Sequence, residues 1–535
     1  MPAVVTDQFR ISNASNFIDS VLDSNNSYYV FLGLPNPTVV GFGRTSTWNN
    51  NTTNSIPSPV DNFEYSSHYK DTSLFGKKVS SANIRRVVKK YSWTANTRYD
   101  MYRHDYQVGI NTAPNGNTGS LYKTNYYVMN SDYRVYVCLD NGAYGAKGSD
   151  TAKGTRSLDE PTFTDLEPTA AGIQDNYIWK YLFTVSPSDI IKFDSTEYIV
   201  LPNNWSTSTD SQIQNVRESG NSDINNNQIK KIYIESGGDN YGNEAATDYV
   251  VDILGDGTGG KVLISVDNNG VITDAKVTSG GLGYTYGMVD LSSFNTGALS
   301  NNTKAKLIPI IPPSKGHGYD IYSELGADKV LIYARFDDST KDYPTDTHFA
   351  QVGILKNPTE FASTGISTVN QYSSLYSLKL NNTVNVDNLN NVIGVGITQL
   401  RSDGNLAKGY VASYDEDTRV LKYIQDRSLY FGNGNNQTDN GNIGQSSKVL
   451  SFESTAAEIK SVAANASFSV SVDTNFSGIT SSVGNKLINL GVNFTNGLAN
   501  PEINKKTGDV IYIDNRKEVE RDLRQKEDIK IILEF

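Results

Sequence analysis

The chain is predicted to be mainly β, with several β domains and a few short helices. Three observations predict this. The 535 residues include 33 Tyr, 19 Phe and 44 Gly, with much Asn, Ser and Thr and few helix-building runs, a balance that favours strands and turns. Short apolar runs recur between polar, turn-forming stretches. In one region glycine pairs punctuate the strands and repeat. A chain of this length exceeds one hydrophobic core, so several domains are expected.

The elements follow in order. Phe17, Ile18, Val21 and Leu22 lie at helical spacing within "ASNFIDSVLDS" (14–24), which predicts a short amphipathic helix. "SYYVFLGL" (27–34), "YRVYVCLD" (133–140), "NYIWKYLFTV" (176–185) and "EYIVLP" (197–202) read as strands, and 44–63 as a long polar loop. Next comes a repeat: "IESGGDNY" at Ile234 returns as "VTSGGLGY" at Val277, each followed by a β run, "VVDI" (250–253) and "MVDL" (288–291). Two copies are too few for a solenoid and suit a compact module of two related hairpin units. "ADKVLIYARF" to "VGILKNPTEF" (327–361) returns to the short β-rich runs and polar loops of the first block. A polar segment then holds the hairpin 409–425 and a predicted helix at 453–467, before two C-terminal strands flanking interleaved charges. The expected domains are 1–220 (first part of the core), 225–313 (inserted glycine-rich repeat), 320–365 (core, continued), 366–490 (second inserted module) and 491–535 (strands completing the core).

Within the repeat, "GDGTGGKV" (255–262) has the order of a phosphate-binding loop, but Val262 stands where a magnesium-binding hydroxyl belongs. Val262, Ile264 and Val266 then alternate towards a "DNNG" turn, the period of a hairpin and not of the helix that would meet a phosphate. The glycines are expected to supply positive φ in a tight turn. The glycine-rich calcium pattern fails as well, since Thr285 occupies the place of its Asp and Asn240 replaces a glycine in the first copy. His68, His104, His317 and His348 are far apart, and no paired cysteines accompany them. His104 and His317 read as surface or loop-positioning residues. No cofactor, metal or catalytic constellation is expected.

The net charge of -11 argues against nucleic acid as a partner. The single cysteine, Cys138, reads as a small buried apolar residue. The first residues lack a signal-peptide pattern, and no apolar run suits membrane insertion. A soluble, cytoplasmically made protein is the expectation.

Several stretches together resemble one family, the baseplate wedge protein of T-even-like myoviruses (the gene eight product type), in an elongated form similar to that of cyanophages. The strongest match is "DNYIWKYLFTVSPSDIIKFDSTEYIVLP" (175–202), carrying Trp179, Tyr181, Phe183, Glu197, Tyr198 and Pro202. The second is "TGDVIYIDNRKEVERDLRQKEDIKIILEF" (507–535), carrying Tyr512, Asn515 and Arg516. Weaker ones at 4–10, 96–102, 135–141 and 352–361 keep the family's order. The resemblance covers somewhat over half of the chain and leaves 225–313 and 366–490 as insertions. It implies a non-enzymatic virion component of a contractile tail: a β-sandwich protein, a homodimer within each wedge, contacting other baseplate wedge subunits. The alternative function is a receptor- or glycan-binding tail protein. A tail-associated glycan hydrolase has no supporting motif.

Overall fold

The computed structural model describes residues 5–33, 73–221, 227–241, 247–292, 304–337, 348–384, 395–425, 451–455, 457–461, 467–520 and 525–535. The loop at 44–63 and His68 lie outside them. The fold is mainly β, as predicted, with four α-helices among the described residues. Two compact units divide the chain. One holds Met1–Phe17, Arg85–Leu331 and Ile531–Phe535; the other holds Ile18–Ile84 and Ile332–Lys530.

This grouping differs from the segments expected from the sequence, where 1–220 stayed together. Strand pairing between distant segments is the reason. Tyr28–Gly33 pairs on one side with Ser73–Lys78 and on the other with His348–Lys356, beyond the inserted module. Gln371–Ser373 and Asp509–Glu520 complete this five-stranded sheet. Its aromatics need glycine opposite them: a Cβ on Gly353 would sit 2.1 Å from the Phe31 ring, and one on Gly76 would sit 2.3 Å from that of Tyr372.

In the same unit a seven-stranded sheet runs in the order Ser469–Val470, Ile459–Ser461, Gly396–Leu400, Leu406–Asp415, Val420–Gln425, Tyr376–Lys379, Leu498–Ala499. It has its own core, including Leu378, Ile397, Val411, Leu421 and Ile459. The predicted hairpin is there: Leu406–Asp415 pairs antiparallel with Val420–Gln425. The helix expected at 453–467 is corrected where the segment is described, because Ile459–Ser461 is a strand paired with Ile397–Gln399. Burying Ile459 beside a sheet edge outweighs the weak helix preference of that segment.

The other unit contains a four-stranded sheet, ordered Tyr127–Met129, Arg134–Asn141, Tyr177–Thr184, Thr169–Ala170. The N-terminal helix runs from Asp7 to Leu22, starting before the predicted 14–24. Thr6 begins it, its hydroxyl accepting the Phe9 N–H at 3.3 Å. The buried stripe is Ile11, Ala14, Ile18 and Val21, whereas Leu22 is exposed.

The glycine-rich region, also in this unit, is built from six strands: Ile232–Ser236, Thr247–Gly255 and Thr258–Val266 from the first copy; Ile272–Leu282, Gly287–Val289 and Lys306–Pro309 from the second. The copies exchange strands. The first strand of copy one pairs with the third of copy two, and the first of copy two pairs with the third of copy one. Corresponding registers agree: Ser236↔Lys306 and Ile234↔Leu307 in one pairing, Ser279↔Lys261 and Val277↔Val262 in the other, with a bulge at the same step. The "VVDI" and "MVDL" runs pair with each other, Ile253 opposite Val289.

The glycine pairs close this approximate two-fold arrangement. Ile272 donates its N–H to Gly237 O, and Ile229, its counterpart, donates to Gly280 O, both at 3.0 Å. A Cβ on Gly237 would lie 2.4 Å from Ile272 O, and one on Gly280 would lie 2.6 Å from Ile229 O. The following residues, Gly238 and Gly281, have φ of 64° and 66°. Each glycine pair is therefore required twice, its first member for close approach and its second for conformation. One shared core results, containing Tyr241, Val251, Val262 and Ile264 with Ala275, Tyr284, Val289 and Leu307.

Candidate functional site

The nine signature positions fall into three groups. Trp179, Tyr181 and Phe183 share the strand Tyr177–Thr184 and are at most 2 % exposed. Trp179 stacks on Tyr177 at 5.4 Å and meets Tyr99 edge-on at 5.7 Å. Tyr181 meets Tyr136 at 5.8 Å, and Phe183 meets Trp205 at 6.2 Å. These are packing positions, each ring contributing on the order of 2–3 kcal/mol through buried area.

Glu197, Tyr198 and Pro202 sit around the strand Tyr198–Val200, which pairs with Val87–Lys89. Glu197 and Pro202 act through the main chain: Glu197 O accepts the Lys90 N–H at 2.7 Å, and Pro202 O accepts the Tyr322 hydroxyl at 2.7 Å. Tyr512, Asn515 and Arg516 belong to the other unit, on Asp509–Glu520, where Tyr512 lies opposite Ile354 and Asn515 opposite Gln351. Arg516 is exposed and pairs with Asp514 at 2.7 Å. The structure thus does not gather the nine into one site.

Tyrosine hydroxyls fasten the loops of the first unit. Tyr126 and Tyr122 donate to Glu324 O and Ser323 O at 2.5 and 2.9 Å, Tyr136 to Phe163 O at 2.7 Å, and Tyr177 to Thr155 O at 3.0 Å. His317 is buried rather than on the surface. Its Nδ1 lies 2.7 Å from Glu324 Oε1, while Glu324 Oε2 accepts the Gly318 N–H at 2.7 Å. His104 positions a loop as expected, its Nδ1 accepting the Ile311 N–H at 3.1 Å. Cys138 is fully buried, and burial pushes its thiol well above the usual range. Among the described residues no group of three or more His, Cys, Asp or Glu could hold a metal. No described helix is long and apolar enough to cross a membrane.

"GDGTGGKV" runs through the turn at Asp256 and Gly257, between the strands Thr247–Gly255 and Thr258–Val266. Within it Gly259 has positive φ, at 78°. Gly257 and Gly260 serve a different purpose from the one expected of them: a Cβ there would sit 2.4 Å and 2.8 Å from atoms of Tyr284. They make room for that side chain.

A groove of about 440 Å³ lies in the same unit, where the repeat meets the four-stranded sheet. One wall is the unbroken run Asp274–Gly280. The opposite side carries Asp140, Glu167, Lys230 and Lys231, with apolar Leu139 and Ile178 beneath. Lys230 Nζ lies 2.7 Å from Glu167 Oε2, and Lys231 Nζ 2.5 Å from Asp140 Oδ2. Burial pushes the Glu167 carboxyl up, but the Lys230 ammonium overrides it and holds the group below the usual range. Burial lowers Lys230, with Glu167 opposing. Behind them Lys180, 1 % exposed, donates to Leu166 O at 2.7 Å and is held down at about 8, by burial first and by the charge of Lys230 second. No signal in the sequence could have assembled this groove, because its walls come from segments far apart in the chain.

No known protein-family model matches the chain, and no curated protein matches it.

Proposed function

We propose that the chain is a structural subunit of the baseplate wedge of a contractile-tailed bacteriophage, joining neighbouring wedge proteins as a homodimer. One observation carries the reading: the signature stretches occur in the family's order, and the strongest, 175–202, lies in a tightly packed part of the fold. Trp179, Tyr181 and Phe183 there are buried. The many loops pinned by tyrosine hydroxyls suit a scaffold that must offer fixed surfaces to partners. Residues 225–313 and 366–490 each bring a core of their own, which fits modules added to a shorter ancestral plan.

Antibody labelling of intact virions tests the proposal. Label at the baseplate end of the tail is expected; label confined to the capsid, or none on the virion, overturns it. Sedimentation of the purified chain as a monomer at micromolar concentration would remove the dimer from the proposal. The glycan-binding alternative receives less support, since sugar sites favour aromatic faces and, among the described residues, none that lines the groove is aromatic.

A further inference from the structure

We propose that the edge of Ile272–Leu282 at Ala275–Val277 is a docking site at which an extended segment of another polypeptide adds as a strand. The proposal is independent of the baseplate reading.

Geometry identifies the groove wall as a strand edge. Successive side chains of a strand point to opposite faces, so a cavity touching seven consecutive residues, Asp274–Gly280, must run along the edge. The sheet order places this strand outermost. At either end the edge is closed by the repeat itself, through Ile272 N–H to Gly237 O and Ile229 N–H to Gly280 O.

The approximate two-fold supplies the occupant. Ile234 holds in the first copy the place of Val277 in the second, and its carbonyl accepts the main-chain N–H of Gly145 at 2.8 Å. The Tyr233 hydroxyl donates to Gly145 O at 3.0 Å, holding that segment on the edge. One of two equivalent edges is thus already covered by polypeptide main chain, while the other faces an open groove. The alternation of carbonyls fixes which residues are available. Lys231 O turns to Ile310 N–H on the paired side and Ile234 O to Gly145, so the corresponding groups on the groove side belong to Ala275 and Val277. The Asp274 carboxylate, 2.8 Å from the Ala275 N–H, holds that donor until a main-chain carbonyl replaces it.

Charge favours this occupant over an ion. Asp140, Glu167 and Asp274 balance Lys230, Lys231 and Lys276 around the groove, and two of the three lysines are already paired. No net charge remains to select a phosphate or a polyanion, whereas main-chain groups and apolar Leu139 and Ile178 remain to bind an extended peptide. The volume lies within the ~300–1,000 Å³ of ligand sites.

The intact protein is panned against a displayed library of random eight-residue peptides, in about 0.5 M salt to screen surface charge. Enriched peptides with alternating apolar residues are expected. A synthetic copy should slow hydrogen exchange at Ala275 and Val277 at least tenfold. Val277→Pro, which removes a donor, and Ser279→Trp, which fills the groove from its rim, should each weaken binding at least tenfold. Where Val277→Pro fails to fold, Ser279→Trp with an unchanged melting temperature decides. No enrichment, protection confined to other amides, or full-strength binding by folded Ser279→Trp overturns the proposal. Protection of the same amides by inorganic phosphate or a sulfated oligosaccharide overturns the assignment to polypeptide.

Discussion

The Tyr284 hydroxyl accepts the backbone N–H of Gly260 at 3.2 Å, and Tyr241, its counterpart in the first copy, accepts that of Ala305 at 2.8 Å. Each copy of the repeat therefore anchors its tyrosine at the third strand of the other. Tyr284 also donates to Ile253 O at 2.8 Å. Tyr284→Phe is expected to cost about 1–3 kcal/mol, because both bonds are lost and the Gly260 N–H and the Ile253 carbonyl each lose this partner. Gly260→Ala should cost about 2–3 kcal/mol, because its methyl would lie 2.8 Å from the hydroxyl and 3.0 Å from Ile253 Cβ. Denaturant unfolding measures both, and an alanine variant as stable as the parent would refute the packing account.

Arg103 fastens the repeat to the loop that precedes it. Its guanidinium grips Asp105 through two bonds, of 2.8 and 2.6 Å, and lies 4.1 Å from the centre of the Tyr233 ring. Arg103→Ala leaves the Asp105 carboxylate half-buried without its cation. A loss of about 3 kcal/mol is expected, with faster hydrogen exchange in Ile232–Ser236. Burial raises the Asp105 carboxyl, but Arg103 overrides it, and the group sits below its ordinary 3.8. A depressed carboxyl contributes stability above its unfolded value. That contribution should disappear as pH falls below 3.8, and in the variant it should already be missing.

Lys180 destabilises the fold at neutral pH, where Asp105 stabilises it. Its folded value of about 8 lies below the unfolded 10.5, so the unfolded chain binds more protons between the two and stability from this group rises with pH across that window. Lys180→Met should be more stable than the parent at pH 7, by up to about 3 kcal/mol, less the cost of the carbonyl it strands at Leu166. The difference between the two proteins should shrink from pH 8 to 10. Melting curves at a series of pH values test it, and a constant difference would contradict the burial account.

His104 is exposed as a residue, yet it should titrate below its usual 6.5, since the atoms packed around its ring desolvate the charged form and its Nδ1 must stay unprotonated to accept the Ile311 N–H. A histidine depressed in this way costs stability as pH falls below 6.5. Nuclear magnetic resonance of the ring should show the Nε2–H tautomer and a midpoint under 6.5; a midpoint at or above that value would be inconsistent with the geometry.

Much of the architecture was legible in local pattern. Strands at 28–33, 134–141, 177–184 and 198–200 fall within a residue or two of where alternation and β-branched content put them. The "DNNG" turn is there, with the Asp267 carboxylate accepting the N–H of Asn269 and of Val271, each at 2.9 Å. The helix expected at 453–467 went wrong because a weak apolar run carries no information about the sheet edge that captures Ile459.

By itself the sequence determined the β class, the repeat with its glycine pairs, and the burial of Cys138, since each depends on near neighbours or on side-chain hydrophobicity. Tertiary structure alone decided which strands pair. It exchanged strands between the two copies and sent Tyr28–Gly33 to pair beyond the module. It also set Lys230 against Glu167, and left the edge at Ala275–Val277 open while Gly145 covered its twin. The physical reason is that strand pairing satisfies main-chain groups that every residue carries, so local pattern marks an edge without saying what will occupy it.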